Sequence, residues 1–254
     1  MNALTTTLLA ICLAIPFAKD SSQQNLTIMT FNVRNCRGMD DKLDYIRTAK
    51  AIHGYRPDIV AIQELDSVTA RSSRVDVLKK IAGLTSYGHT YAPAITFDGG
   101  KYGIGALHKE QPFRSYNIPL PGSEELRTLQ VIEFSTFVLF NAHLSLTESD
   151  RDKSGEIINQ EKSKFTKPVF LCGDFNAEPG STLIKLLKRN WTQLSPDANT
   201  FPASVPDVQL DYIFVSSESA SSLKVMSAEV VKDSTSSDHR PVVVKLNLTL
   251  PLRP

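Results

Sequence analysis

Cysteine is scarce in this chain: three in 254 residues, at positions 12, 36 and 172. That count excludes a disulfide framework, and no Cys/His spacing of the zinc-binding kind is present. Charge of one sign is missing too, since 28 Lys and Arg stand against 27 Asp and Glu, for a net charge of +1. A surface built to hold long nucleic acid carries a basic excess, so nucleic acid is not the favoured partner. Beyond the first 18 residues no apolar run is long enough to cross a bilayer. Low-complexity linkers and short-period repeats are also absent. What remains is one domain from residue 24 to 254, expected to be monomeric, in a chain with 41% hydrophobic residues overall.

The opening stretch MNALTTTLLAICLAIPFA is apolar from Leu8 to Ala18. It is too short for a membrane span and reads as a signal peptide over residues 1–18, although no Lys or Arg precedes the apolar part. The mature protein is therefore expected to be exported, to the periplasm or the extracellular space. Cys36 falls in a loop after a strand, and Cys172 inside an apolar run, where it reads as a small core residue.

Along the chain, strand and helix patterns interleave. Apolar runs predict strands at 26–32, 58–63, 103–108, 129–134, 137–142, 169–172, 212–215, 225–231 and 242–250. In the last, Val242, Val244, Leu246 and Leu248 share one face. Helical spacing appears at 41–53, 75–82, 148–164 and 181–187, with Ser181 placed to cap the last of these. Several strand pairs read as hairpins, which points to an α/β fold with mixed sheets.

Polar residues gather just beyond the apolar runs: Asn32, Gln63–Glu64, Asn141–His143, Gly173–Asn176, Asp211 and Ser237–His239. Strand ends at one edge of a sheet bring such residues together. The set offers oxygen ligands, which suit Mg²⁺, Mn²⁺ or Ca²⁺, and two histidines able to move protons near neutral pH. Each piece alone has a plainer reading. Gln63–Glu64 is a strand-end cap, GDFN is a turn over a core Phe175, His143 is a satisfied core histidine, and residues 238–241 are a loop before a strand. Their joint occurrence at strand ends favours a site.

These segments resemble the endonuclease/exonuclease/phosphatase superfamily, which includes DNase I-like nucleases, abasic-site endonucleases, neutral sphingomyelinases and inositol-polyphosphate phosphatases. The resemblance lies in TFNV at 30–33, QE at 63–64, YG at 102–103, NAHL at 141–144, GDFNA at 173–177, LDYIFV at 210–215 and SDHRPV at 237–242. It spans nearly the whole mature chain. It implies a four-layer α/β sandwich, with two packed mixed β-sheets flanked by helices. It also implies a divalent-metal-dependent phosphoester hydrolase in which Glu64 is the principal Mg²⁺ ligand and Asn32 and Asp238 complete the metal site. By the same resemblance Asp174 and Asn176 contact the phosphate and the attacking water. Asp211 orients His239, His143 flanks the phosphate, and Tyr102 and Arg127 touch it from loops. Either Asp174 or His239 activates the water. Two departures stand out: Arg34 occupies a position where some nucleases carry an acid, and Ile104 follows Tyr102–Gly103 where relatives often carry a polar residue. His143 favours the branch of DNase I-like enzymes and sphingomyelinases over the abasic-site branch.

The substrate is less legible. Arg71 and Arg74 form an RSSR segment that reads either as a rim recognising the substrate's organic part or as a solvated basic turn. With no basic stripe and no set of stacking aromatics, a small or lipid-linked phosphoester is favoured. A secreted DNase I-like endonuclease is the alternative, followed by an inactive binding module on the same fold.

Overall fold

Side chains alternate along a strand, so an apolar residue buried on one face fixes where its polar neighbours point. The computed structural model describes residues 22–250; the leader and Cys12 lie outside that range. Among the described residues, twelve strands form two six-stranded sheets. The first runs, in order, β11 (Leu223–Val230), β12 (Val242–Leu250), β1 (Ser22–Asn32), β2 (Ile59–Ser67), β4 (Gly100–His108) and β3 (Gly88–Phe97). The second runs β5 (Arg114–Leu120), β6 (Arg127–Glu133), β7 (Val138–His143), β8 (Val169–Asp174), β10 (Asp211–Ser216) and β9 (Trp191–Gln193). The pairs β1–β2 and β7–β8 are parallel. The other pairings are antiparallel, so both sheets are mixed.

Three buried clusters define four layers. Ile28, Ile59, Leu139, Phe170, Ile213 and all four of Val242, Val244, Leu246 and Leu248 meet between the sheets. On the outer face of the first sheet, Met29, Phe31, Val60 and Ile62 pack against α1 (Tyr45–His53) and α2 (Val77–Thr85). On the outer face of the second, Phe140, Leu171 and Phe214 pack against α3 (Glu148–Lys162) and α4 (Thr182–Leu187). Three of the four helices, α1, α2 and α4, start where a side chain caps them. Asp44 accepts from Arg47 N at 3.0 Å, Asp76 from Lys79 N at 3.0 Å, and Ser181 from Ile184 N at 3.3 Å. The cap at Asp44 explains why α1 begins four residues later than the apolar spacing suggests.

Strands β3, β5 and β9 escape the sequence pattern, and all three lie at sheet edges. Edge strands bury less of themselves, so their apolar signal is diluted; β3 even carries Pro93.

Parity then places the polar residues. Asn32 continues the face of Ile28, Gln63 that of Ile59 and Ala61, and Asn141 and His143 that of Leu139. Asp174 continues the face of Phe170 and Cys172, and Asp211 that of Ile213. All six therefore look into the gap between the sheets, at one end of the sandwich. A buried amide layer closes the core beneath them. Gln63 Nε2 donates to Asn141 Oδ1 at 2.8 Å across the gap, and Asn141 Nδ2 donates to Gly105 O at 2.8 Å and Gln130 Oε1 at 3.1 Å. Fully partnered amides of this kind pin the register of one sheet on the other.

Candidate active site

Glu64 reaches the site through a bulge. The β2–β4 register shifts between Ile62 and Leu65, and Glu64 adopts a left-handed φ of 59°. Without the shift, Glu64 would follow Val60 and Ile62 into the outer core. With it, Leu65 takes that slot and the carboxylate turns toward the gap. A non-glycine residue in this conformation is costly, and such strain gathers at functional sites. Asn176 shows the same feature, with φ 47°. Its backbone N–H donates to Asp174 Oδ1 at 3.0 Å, and its Nδ2 donates to Leu144 O at 2.9 Å. Gly173 is required here because a Cβ would lie 1.9 Å from Ala142 O.

Asn32 joins the two sheets' contributions. Its Nδ2 donates to Glu64 Oε1 at 3.0 Å and to Asp174 Oδ2 at 2.9 Å. Two imidazoles flank that same Asp174 oxygen, His143 Nε2 at 3.5 Å and His239 Nε2 at 3.6 Å. His239 Nδ1 lies 2.9 Å from Asp211 Oδ2, which also accepts from Thr200 Oγ1 at 2.5 Å. Phe201 lies against the His239 ring, with centroids 4.8 Å apart. Asp238 sits beside Arg34, whose Nε is 3.5 Å from Asp238 Oδ2. Ser237 ties this loop to β1 by donating to Asn32 O at 2.7 Å.

The electrostatics separate the two histidines. Burial lowers the His143 pKa to about 4, with Arg127 and His239 adding to the effect and Asp174 opposing it. Arg127 Nη1 lies 3.3 Å from His143 Nδ1. A guanidinium can only donate, so Nδ1 accepts and the proton sits on Nε2, facing Asp174. Burial acts on His239 as well, but Asp211, Asp174 and Asp238 outweigh it and raise its pKa to about 10. Burial also raises the Glu64 pKa, helped by Asp238 and Asp174 and opposed by the Asn32 hydrogen bond.

This donor set fits a hard divalent cation. Four carboxylates, Glu64, Asp174, Asp211 and Asp238, crowd one region, and Asp211 Oδ1 is buried without a partner. Asp174, Asp211 and His239 also bring three ligand-type atoms within 4.8 Å of one another, but there Asp211 and His239 already pair with each other. The thiols are unsuited to metal. Cys36 and Cys172 are both buried, and burial pushes the Cys36 thiol up to about 12.

The remaining sequence candidates fall in different places. Tyr102, Arg127 and His143 line one small cavity with Glu125. Arg127 is buried and tied to Glu124 at 3.3 Å, Glu125 at 3.0 Å and His143. Its guanidinium supports His143 within the protein, beside the phosphate contact that the resemblance implies for it. Arg71 stands with Glu64 in a cleft of about 280 Å³. Arg74 does not line that cleft; it donates to Val68 O and Gly99 O and holds the loop together. A larger groove, about 660 Å³, lies at the opposite end of the sandwich, lined by Ser22, Thr136, Pro168 and Leu250, far from these groups. Sequence reasoning did not single out Arg37, Asp66, Thr200 or Glu124. Each acts through a loop contact that carries no periodic signal.

The chain matches the model of the endonuclease/exonuclease/phosphatase family over residues 29–239, and it belongs to that family. No curated protein matches it by sequence comparison. Among solved structures, an endonuclease/exonuclease/phosphatase from Beutenbergia cavernae DSM 12333 superposes with a TM-score of 0.76 at 20% identity. That match covers 88% of this chain and 72% of the other. A mannosyl-6-phosphatase from Bacteroides thetaiotaomicron VPI-5482 gives 0.69 at 20% identity, covering 87% and 99%. The human Nocturnin catalytic domain with bound sulfate gives 0.65 at 20% identity, covering 89% and 97%. Members of this family are in general metal-dependent phosphoester hydrolases, and the fold is their DNase I-like α/β sandwich.

Proposed function

We propose that this protein is a Mg²⁺-dependent hydrolase of small or lipid-linked phosphoesters, working outside the cytoplasm after loss of residues 1–18. The observation that carries the reading is the bridge made by Asn32. One amide nitrogen holds Glu64 from the first sheet and Asp174 from the second, with both imidazoles on Asp174. A dead relative has no need to keep carboxylates and imidazoles crowded in this way.

Glu64, Asn32 and Asp238 are assigned to hold the ion. When bound, it neutralises charge that rises on the non-bridging phosphate oxygens. The protein's own groups do the rest. Asp174 is assigned to accept the proton of the attacking water, since its Oδ2 takes the Asn32 hydrogen bond and lies between the two imidazoles. Asp211 keeps His239 protonated at neutral pH, so this imidazolium serves as a charge-stabilising donor. His143 offers its Nε2–H to a phosphate oxygen, held in that tautomer by Arg127.

The test is a hydrolysis panel with purified mature protein and Mg²⁺, covering plasmid DNA, RNA, sphingomyelin, phosphoinositides, sugar phosphates and a chromogenic phosphodiester. Turnover of a small or lipid-linked ester that stops on chelation is the expected result. Turnover untouched by chelation, or confined to DNA, overturns the reading.

A further inference from the structure

The cleft beside Glu64 is unusually rich in guanidinium groups. Its lining is Arg34, Asn35, Arg37, Glu64 and Arg71, so three of five residues are arginines in a chain of net charge +1. Arg34 also pairs with Asp238 at 3.5 Å, whereas Arg37 and Arg71 make no hydrogen bond to the reacting centre described above.

Each arginine is held by the protein. Arg71 donates to Asp66, whose side chain is fully buried, through Nε at 2.7 Å and Nη2 at 2.8 Å. Its guanidinium carbon lies 4.5 Å from the Phe97 ring centroid and 5.3 Å from that of Tyr102. The planar group therefore turns its Nη1 edge away from Asp66, and the side chain remains 43% exposed. Arg34 is steadied by Asp41 at 3.1 Å and Asp238 at 3.5 Å. Arg37 donates to the Asp41 carbonyl. Guanidinium groups fixed in this way lose little freedom on binding an anion and grip a tetrahedral one with paired N–H donors.

Glu64 marks the border between the cleft and the reacting centre. It lines the cleft, while Asn32 connects it to Asp174 and the imidazoles. A phosphate over Asp174 and an anion among the arginines would thus occupy different places. Three guanidiniums match the three terminal oxygens of a phosphoryl group better than the two of a carboxylate. The acidic neighbours Asp40, Asp41 and Asp98 break any continuous basic track for a polynucleotide.

We propose that Arg34, Arg37 and Arg71 form a second anion subsite, and that the preferred substrate is a small phosphoester bearing a second phosphoryl group near the scissile one. This rests on the hydrolase reading above and narrows its substrate class. Asp66, Phe97 and Tyr102 act as positioning residues for Arg71.

The test compares matched pairs with full-length mature protein and Mg²⁺: inositol monophosphate against inositol bisphosphate, and a nucleoside 5′-monophosphate against its 3′,5′-bisphosphate. A short oligonucleotide is the third arm. The bisphosphate of at least one pair is expected to have a kcat/KM about 10- to 100-fold higher, the worth of charge-assisted hydrogen bonds. Arg71→Gln and Arg37→Gln should each shrink that ratio about tenfold or more. The ratio is unaffected by a general loss of folded or metal-loaded enzyme. Equal rates within both pairs, an unchanged ratio in the variants, or preference for the oligonucleotide overturns the subsite. If no compound is hydrolysed, the parent reading fails, and a separate measurement still decides the subsite. Inorganic phosphate titrated into metal-free protein should move the Arg71 Nε–H NMR signal, and an unmoved signal overturns it.

Discussion

Replacing Asp211 by Asn tests the buried imidazole pair most directly. Asp211 Oδ2 accepts from Thr200 Oγ1 at 2.5 Å and lies 2.9 Å from His239 Nδ1, while its Oδ1 is buried without a partner. An Asn that keeps its oxygen toward both donors places its NH₂ where no acceptor exists. It also leaves the His239 cation without its carboxylate. Breaking a buried ion pair costs about 3–5 kcal/mol, and an unpartnered buried donor about 1–3 kcal/mol. A loss of about 3 kcal/mol in metal-free protein at neutral pH is therefore expected. The sign of its pH dependence follows from His239, whose folded pKa is raised to about 10 from an ordinary 6.5. The pair's stabilisation is fully present below the ordinary value and is lost as pH rises through about 10. Urea unfolding of both proteins should thus show the widest gap near pH 6 and a narrow one near pH 10. In turnover, Asp211→Asn should lose up to about 10²–10³-fold in kcat, the worth of one charge-stabilising donor. Adding it to His239→Ala should cost little more, since Asp211 acts through the imidazole. A stability gap independent of pH, together with additive kinetic losses, would refute the pairing.

Glu64→Gln should abolish metal-dependent turnover yet raise the melting temperature of metal-free protein. Burial and the neighbouring Asp238 and Asp174 already disfavour the ionised carboxylate, and calorimetry with Mg²⁺ should show lost binding. Gly173→Ala should cost about 3 kcal/mol or more in urea unfolding, because the new methyl meets Ala142 O on the adjoining strand. Binding of the protein to duplex DNA should be weak with a shallow salt slope, given the net charge of +1; a steep slope in a filter-binding titration would contradict this. Chelation should lower the melting temperature of protein purified with Mg²⁺, as removal of any ligand specific to the folded state does.

Much of this molecule follows from strand periodicity alone. Once Ile28, Leu139, Phe170 and Ile213 are buried between sheets, the two-residue repeat obliges Asn32, His143, Asp174 and Asp211 to face the same gap. The last strand reads directly from its sequence, with four alternating aliphatics all buried there. Glu64 is different: by parity it belongs in the outer core, and only the β2 bulge turns it into the site. The edge strands β3, β5 and β9 were hidden for want of full burial. The arginines are least legible, because their chemistry is set by long-range partners. Arg71 and Arg74 are three residues apart in one RSSR segment. Yet Asp66, Phe97 and Tyr102 fix the first in the cleft, while the carbonyls of Val68 and Gly99 engage the second. Local alternation determined which polar groups share the gap between the sheets. Tertiary contacts decided which of them meet, since a long flexible side chain takes its position from the groups that hold its end.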